Sequence, residues 1–448
     1  MREARIPLPP NLRRMALVAL VSTLGYFSFS AFLPAYLRDS GVTVVAVGLF
    51  FSLTSAVEAP IAIAGGVLAD RFGRRPLLAA GRVLQMLGWI VASLLPTALG
   101  LVTAAGLLGL AGLSGSAYRA LIAESAAEGR RASAFAVIGV VENATGVVVP
   151  LAVGVLADRL GLKWVLCGAA ALSGILGLVA TLRLDETYRP ARHKEAGRAA
   201  EARGPADAGE SDEPAPAGES HELAPAASPL EGFRYLVSGE GRGAALMGVI
   251  WLFTGLGMGL LPPVWALYVT DRFGVDYAGL GAVSTSMALG MMVGHMLGGP
   301  IADRIGYSRL MALSLCVTVP AWVAMTWATS AWFFAVLTAV SYFVAFIAAS
   351  AWEALGADAV PRRVRGSAMG VYRAFWAVGL MMGSALAGFA YSKAIVLPFY
   401  LLAAADLAML VLVLAGRRAG LRGFAPAGPT RAKQGVEDTG PLSLEQGS

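Results

Sequence analysis

The chain has 448 residues and a net charge of +6; 57% of its residues are hydrophobic and only 14% are charged. Soluble domains contain about a quarter charged residues, and a single core stops growing near about 250–300 residues, so the composition excludes an ordinary soluble protein. The basic residues cluster at the ends of apolar runs, an arrangement typical of membrane topology rather than of nucleic-acid binding, and it predicts a polytopic membrane protein.

Twelve apolar stretches follow one another along the chain in two groups of six. A membrane-spanning helix needs about 20 mostly apolar residues. Such stretches begin near residues 14, 43, 76, 99, 132 and 162, and again near 244, 277, 306, 330, 367 and 394. We therefore predict an all-α fold of 12 transmembrane helices, arranged as two six-helix bundles over residues 14–185 and 244–416.

The segment between the two groups, residues 186–243, is rich in Ala, Pro, Gly, Glu and Arg and poor in large apolar side chains. Such a composition buries too little to fold alone, so we predict a largely disordered linker and a similar tail over 417–448. Ten Lys and Arg residues in one set of short loops, against five in the other, place both termini and the linker in the cytoplasm. The expected location is the inner (cytoplasmic) membrane of the cell.

Two motifs recur at nearly the same spacing in the two groups. "GGVLADRFGRR" begins at Gly65 and "GGPIADRIGYSR" at Gly298, 233 positions later. "ALIAESAAEGRRASAFAV" begins at Ala120 and "ALGADAVPRRVRGSAMGV" at Ala354, 234 positions later. Two independent matches at almost one offset indicate that the two halves are parallel repeats, related by an axis along the membrane normal.

These motifs resemble those of the major facilitator superfamily of secondary transporters, and the resemblance covers the chain except its linker and tail. Both the pattern Gly–x–x–x–Asp–Arg–x–Gly–Arg–Arg and a second intracellular signature are matched. The matching residues are Gly66, Asp70, Arg71, Gly73, Arg74 and Arg75, then in degraded form Gly299, Asp303, Arg304, Gly306 and Arg309, and the pairs Glu124–Arg131 and Asp358–Arg365. The resemblance implies a transporter of a small molecule, with no enzyme activity, no cofactor and no metal, working as a monomer in membrane lipid.

The loop motifs predict a cytoplasmic latch between the two halves. Gly66 lets helices approach closely, and Asp70 can accept hydrogen bonds from the start of a neighbouring helix. The alternative is that the arginines only set the topology. The latch residues are Gly66, Asp70, Arg71, Gly73, Arg74, Arg75, Glu124, Arg131, Asp303, Arg304, Arg309, Asp358 and Arg365.

Two glutamates lie in the middle of predicted spans, Glu58 in the second and Glu142 in the fifth. An ionised side chain there costs about 2.5–3.5 kcal/mol on insertion scales, and burial favours the protonated carboxyl, which is the property a proton carrier needs. We therefore name both as proton-coupling candidates. The alternative is a hydrogen-bonded glutamate that only joins helices.

Arg119 and Glu353 occupy equivalent positions in spans four and ten. They are predicted to pair across the halves when the cytoplasmic side is shut, although Arg119 can instead extend to the membrane interface. Arg373 is expected to contact an anionic substrate or to pair with Asp406, and Arg82 to extend to the interface.

The resemblance also implies a substrate cavity between the halves, for which we name polar and aromatic candidates. Most aromatic side chains in membrane proteins serve packing or the interfacial belt, and this remains the alternative for each ring. The candidates are Tyr26, Phe29, Arg119, Asn143, Trp251, Trp265, Trp352, Glu353, Arg373 and Trp376.

The aromatic, Met-rich and sparsely polar interior favours an amphipathic or hydrophobic solute, and we predict its proton-coupled efflux. Drug exporters of this superfamily often carry a Gly–Pro motif in span five. The stretch "GVVENATGVVVPLAVG" contains Gly139, Gly146, Pro150 and Gly154, but valine precedes the proline. The alternatives are proton-coupled uptake of a small organic anion through Arg119 or Arg373, and a transport-inactive membrane sensor.

Overall fold

A computed structural model describes residues 9–125, 131–186, 229–361 and 364–424. Within these ranges the chain forms sixteen α-helices, one short 3-10 turn and no strand. Twelve spans are long and apolar enough to cross a membrane. The predicted fold class, an all-α protein of 12 transmembrane helices in two halves, is confirmed.

Among the described residues, seven helices form the first half, and its fourth span is broken into two helices at residues 112–113. The seven are α1 (Pro10–Asp39), α2 (Val44–Phe72), α3 (Arg74–Leu94), α4 (Ala98–Ala111), α5 (Ser114–Ser125), α6 (Arg131–Leu160) and α7 (Leu162–Leu182).

The second half repeats this arrangement, with breaks in its first and fourth spans. Span seven is interrupted after Leu260, because Pro262 and Pro263 cannot continue the backbone hydrogen bonds of the helix. The helices are α8 (Pro229–Val237), α9 (Arg242–Leu260), α10 (Trp265–Phe273), α11 (Tyr277–Ile305), α12 (Tyr307–Thr326), α13 (Ala331–Ile347), α14 (Ala349–Asp358), α15 (Arg365–Lys393) and α16 (Leu397–Arg418).

Three connections between successive spans consist of one glycine each. Gly73 joins α2 to α3 with φ 92°, Gly161 joins α6 to α7 with φ 83°, and Gly306 joins α11 to α12 with φ 88°. A side chain is strained at such positive φ angles, whereas glycine adopts them freely. The glycines of the repeated loop motif are therefore required by the turn itself.

The two halves meet along two long helix pairs, α2 with α15 and α6 with α11. A Cβ atom placed at Gly48 would lie 2.7 Å from the carbonyl oxygen of Ser384, and one at Gly388 would lie 2.6 Å from that of Val44. Small residues at such contacts let backbones approach closely, which is how helices associate in lipid. The same kind of contact joins Gly154 to the backbone of Tyr277.

The two ends of the bundle differ in how the halves meet. We call the end where α7 stops and α8 starts the linker face, and the other end the opposite face. At the opposite face, α1 also packs on α10 and α11. At the linker face, the described residues of α5 and α14 form no comparable packed pair. Among the described residues, α1 therefore adds contacts between the halves at the opposite face that α5 and α14 do not match at the linker face.

The predicted linker and tail include ordered segments that the sequence analysis did not separate from them. Helix α8, "PLEGFRYLV", lies within residues 186–243 and packs on α15, where Gly232 sits against the backbone of Ser367 and Ala368. Phe424, in the predicted tail, is fully buried in the core of the second half. Aromatic and leucine side chains provide the apolar area for both contacts. Residues 187–228 and 425–448 lie outside the described part of the chain.

We predict that Gly154→Ala destabilises the packing of α6 on α11. The new methyl group would collide with the backbone of Tyr277 and Ala278, and overpacking costs about 1–3 kcal/mol. The expected result is a lower midpoint of thermal unfolding in detergent. Gly139→Ala, on the same helix but with nothing within 4 Å of its Cβ position, serves as the control. Equal midpoints for the two variants would contradict the prediction.

Candidate functional site

Two tyrosines and a glutamate approach one another midway between the two halves. Tyr26 on α1 lies within electrostatic range of Glu58 on α2 and of Tyr342 on α13, which belongs to the other half. Tyr26 is 54% exposed and Glu58 is also exposed. The pair Tyr26–Glu58 therefore presents a polar edge near Tyr342 of the second half, whose ring packs against the buried rings of Trp265 and Trp322.

The second proton-coupling candidate, Glu142, belongs to a charged cluster inside the first half. The hydroxyl of Tyr118 donates a hydrogen bond of 2.8 Å to Oε1 of Glu142. Arg82 lies within electrostatic range of both residues and donates to Gln85 at 3.1 Å. Arg82 therefore lies within electrostatic range of a carboxylate, and its extension to the interface stays a prediction. Asn143 donates to Gly139 of its own helix at 2.8 Å.

Two arginines from different halves face each other near the linker face. Arg373 on α15 donates to Oε1 of Glu353 at 2.9 Å, and its guanidinium lies 5.7 Å from the ring of Trp251. Arg119 on α5 is exposed and lies within electrostatic range of Arg373. Because Glu353 pairs with Arg373 of its own half, the predicted pair of Arg119 and Glu353 stays a prediction for a form closed at the linker face.

Asp406 does not pair with Arg373, which corrects one of the two expectations for that arginine. Its carboxylate is buried and accepts hydrogen bonds from Thr318 at 2.8 Å and from the indole of Trp322 at 2.9 Å. Both donors lie on α12, so Asp406 joins α16 to α12 and leaves Arg373 to Glu353.

Three of the predicted cavity aromatics are buried inside their own halves. Phe29 is fully buried and stacks on Trp89 with centroids 4.3 Å apart. Trp251 is buried against Tyr372, and Trp265 is buried near Phe334. The remaining candidate rings are less buried: Tyr26, Trp352 and Trp376. In this conformation, packing is the role of the first three.

At the linker face, residues of the loop motif form a cluster that joins three helices of the first half. Nη2 of Arg74 lies 2.8 Å from Oε1 of Glu124. The carboxylate of Glu186 accepts from the backbone N–H groups of Arg74 at 3.2 Å and Arg75 at 2.9 Å. The guanidinium of Arg75 donates to the carbonyl of Leu182. These bonds connect the start of α3 to α5 and to the end of α7.

The other latch candidates make local contacts or lie outside the described part of the structure. Arg71 lies 5.4 Å from the ring of Phe72, Asp303 accepts from Tyr307 at 3.3 Å, and Arg365 donates to Ala357 at 3.0 Å. Arg304 and Arg309 are exposed and Asp358 is half-buried, whereas the surroundings of Gly66 and the side chains of Asp70 and Arg131 lie outside the described part. All of these contacts join residues of one half, so a latch between the halves stays a prediction.

The opposite face carries a polar network that the sequence analysis missed. Arg38 donates to Asp271 and, at 3.1 Å, to Thr270. The hydroxyl of Tyr277 donates to Asp39 at 2.8 Å. Both contacts cross from the first half to the second.

Three further hydrogen bonds belong to this network. Tyr391 donates to Asp271 at 2.7 Å. The carboxylate of Asp158 accepts from the backbone N–H groups of Tyr277 at 3.1 Å and Ala278 at 2.9 Å. The available sequence signal was the presence of acids beside bases in the loops of this face, which does not specify their partners.

The arrangement provides binding and gating contacts rather than reaction chemistry. Within the described ranges, no group of three or more His, Cys, Asp or Glu side chains is placed to hold a metal ion. Instead, polar bonds at the opposite face join the two halves, whereas the bond between Arg373 and Glu353 near the linker face lies within one half.

Comparisons with known proteins agree with this architecture. The family model described as Major Facilitator Superfamily matches residues 15–254 and 247–438. An uncharacterized MFS-type transporter of Mycobacterium tuberculosis is 30% identical over 167 residues, which are 36% of this chain and only 39% of that protein. A class G tetracycline resistance protein of Vibrio anguillarum is 23% identical over 329 residues, 72% of this chain and 76% of that protein.

Solved structures with the same fold include transporters of different solutes. A mutant of the nucleoside transporter NupG has a TM-score of 0.72 at 12% identity, with 90% of this chain and 99% of that chain covered. A mutant of a peptide transporter POT in complex with sulfate has a TM-score of 0.70 at 16% identity, with 93% of this chain and 96% of that chain covered. At these identities the likeness extends to the fold.

We predict that Glu186→Gln lowers stability because it removes the negative charge at the start of α3. The loss is expected to be about 1 kcal/mol, since both backbone N–H groups now bond to a charged carboxylate. Thermal unfolding in detergent provides the measurement. Asp185→Asn is the control, because its side chain is 71% exposed and exposed ion pairs contribute little. A shift no larger than that of the control would contradict the prediction.

Proposed function

Because the chain belongs to the Major Facilitator Superfamily, we propose that it exports an amphipathic or hydrophobic organic compound by proton-coupled alternating access. Members of this family are transport proteins and not enzymes, as expected from the sequence. Transport of a small molecule follows from the family; the direction, the solute and the proton are parts of the proposal.

The observation that carries the proposal is the difference between the two faces of the bundle. Alternating access requires a central site that is reached from one face at a time. At the opposite face, the Arg38–Asp271 and Asp39–Tyr277 bonds tie one half to the other. At the linker face, Arg119 and Glu353 carry opposite charges on different halves while Glu353 is bound to Arg373. This difference supports a carrier that is open toward the linker face.

The surroundings of the site support an amphipathic solute. Tyr26 presents an exposed ring and hydroxyl next to Glu58, and the facing surface around Tyr342 is aromatic. Such a surface offers apolar contact area with a few hydroxyl partners. A relative named for tetracycline resistance, aligned over 72% of this chain, favours efflux as the direction. In this proposal the linker face is cytoplasmic and the site is loaded from inside the cell.

Glu142 is our first choice for the proton carrier, with Glu58 as the second. Glu142 is held by Tyr118 and interacts with the charge of Arg82. Protonation would remove the attraction between Glu142 and Arg82 and free both side chains to change partners. Because α3, α5 and α6 each contribute one member, loss of this attraction would change the packing of three helices of the first half.

The two facing arginines favour a second candidate function, the uptake of a small organic anion. Arg119 and Arg373 belong to different halves and lie within electrostatic range of each other. Like charges at close approach repel, so an anionic group between them would be stabilised by both. In this candidate, the anion would replace Glu353 as the partner of Arg373.

We predict that an imposed pH gradient drives solute movement in proteoliposomes, and that Glu142→Gln abolishes the drive. The variant keeps a hydrogen-bond partner for Tyr118 but cannot release a proton. The measurement is flux of a panel of labelled neutral, cationic and anionic solutes, with exchange between equal pH values recorded in parallel. Exchange should persist in the variant, and gradient-driven flux should fall at least about tenfold.

Glu240→Gln, an exposed glutamate at the linker face, is the control and should behave as the natural chain does. No flux of any solute in the natural chain would support the membrane sensor instead. Gradient-driven flux that survives in Glu142→Gln but is lost in Glu58→Gln would move the proton site to Glu58.

We predict that Arg119→Gln and Arg373→Gln weaken the binding of an anionic solute more than that of a neutral one. Each variant removes one of two charges that would contact the anion, with an expected loss of about tenfold or more in affinity. The measurement is scintillation proximity binding of labelled solutes to the purified protein. Arg418→Gln, at the exposed last residue of α16, is the control. Equal losses for neutral and anionic solutes would exclude the second candidate.

A further inference from the structure

The loop motif occurs three times in the chain, and the copy that is second in sequence order lies at the other end of the bundle from the other two. "GVLADRFG" spans residues 66–73 and "GVLADRLG" spans 154–161, so the two differ at one position, while "GPIADRIG" spans 299–306. The first and third copies end α2 and α11 at the linker face. The second copy ends α6 at the opposite face.

All three copies form the same helix ending. In each copy the final glycine has a positive φ angle, and its N–H donates to the carbonyl of the alanine four residues earlier. Each alanine is at most 3% exposed. The pairs are Ala69 and Gly73 at 3.1 Å, Ala157 and Gly161 at 2.9 Å, and Ala302 and Gly306 at 2.9 Å. The aspartate that follows the alanine therefore has the same place on the last turn of each helix.

In the second copy, the aspartate binds the start of a helix in the other half. The two carboxylate oxygens of Asp158 accept from the backbone N–H groups of Tyr277 at 3.1 Å and Ala278 at 2.9 Å, the first two residues of α11. The first N–H groups of a helix have no partner within the helix, and a negative charge there is stabilised by the helix dipole. Asp158 thus supplies the partners that α11 cannot supply itself.

The start of α11 also binds a second carboxylate, which comes from its own half. Capping of the helix and binding between the halves are therefore carried out by two different residues. Asp276 is the N-cap of α11 and accepts from Gly279 at 2.8 Å. This bond stays intact however the halves move, because both residues belong to one helix and its cap. The bonds of Asp158 must break when α6 and α11 separate at this face.

The backbone contact one turn earlier holds Asp158 in place. Gly154 touches the backbone of Tyr277 and Ala278, and Gly281 touches that of Pro150. Tyr277 is also bound through its hydroxyl by Asp39. The close contact between α6 and α11 thus places the carboxylate of Asp158 at the start of α11. The neighbouring bond between Asp39 and Tyr277 stabilises the same contact between the halves.

We propose that Asp158 is the positioning residue of a lock that keeps the opposite face closed, with the first turn of α11 as its receptor. We call this set, Asp158 with the N–H groups of Tyr277 and Ala278, the opposite-face lock. It is released when that face opens, and it is the counterpart of the latch predicted for Asp70 at the linker face. The inference rests on alternating access, which is part of the proposed function.

The experiment measures the distance between spin labels at the opposite face in the purified full-length protein. Labels are attached to cysteines introduced by Trp164→Cys in the first half and Thr329→Cys in the second, both at exposed positions, after Cys167→Ser and Cys316→Ser remove the natural thiols. Asp158→Asn removes the charge and replaces one acceptor oxygen with an NH2 group. It should raise the ratio of long to short distances about tenfold, as expected for loss of hydrogen bonds to a charged group.

Asp276→Asn is the matched control, because it removes a charge from the same helix start but asparagine caps helices as well as aspartate does. Its distance distribution should stay within about twofold of that of the natural chain. Ala278→Pro tests the other side of the lock, since it deletes one N–H donor while proline is tolerated in the first helical turn. It should shift the distances in the same direction as Asp158→Asn.

The double variant, Asp158→Asn with Ala278→Pro, should shift the distances less than the sum of the single effects. The inference is overturned if neither single variant raises the long-distance population, or if Asp276→Asn raises it as much as Asp158→Asn does. No solute is needed for this readout. A shift in Asp158→Asn without any measurable transport would therefore leave the lock standing and reject the proposed function.

Discussion

Close backbone contact between the two halves is the constraint on which the rest of this structure depends. Lipid offers no hydrophobic drive for helices to associate, so the halves must be held by packing and by a few polar bonds. Glycines on α2, α6, α11 and α15 bring backbones together along two seams. The opposite-face bonds of Asp39, Asp158 and Arg38 lie at the end of the bundle where these seams bring the halves together.

The charged side chains within the membrane, which are costly to bury, differ in whether their partners lie in the same half. Within the first half, Glu142 is satisfied by Tyr118 and faces Arg82, and in the second half Asp406 is held by two donors from α12. Charges that are bound inside one half cost little when the halves rearrange. Other charges bind across the two halves, or face each other from different halves as Arg119 and Arg373 do. These charges change partners when the halves move, so their contacts depend on the conformation of the carrier.

Much of the fold was predictable from the sequence, because each span is a long apolar run and the two halves repeat one motif at one offset. The break in span seven was also predictable, because Pro262 and Pro263 cannot continue the backbone hydrogen bonds of a helix. The partners of Glu186, Asp406 and Glu353 were not. Spacing along a helix identifies the face on which a residue lies but does not show which neighbouring helix it meets. Helix α8 was missed because a nine-residue segment in a polar region gives little apolar signal until its partner α15 is known.

The single-glycine connections fix how each helix is rotated relative to the helix before it. An α-helix turns about 100° per residue, so one extra residue beside Gly73 or Gly306 would rotate the following helix by more than a quarter of a circle. The apolar stripe of α3 or α12 would then point to the wrong neighbour along its whole length. The two helices of each hairpin thus keep a fixed rotation relative to each other. The movements of the carrier must therefore take place between the halves rather than inside the hairpins.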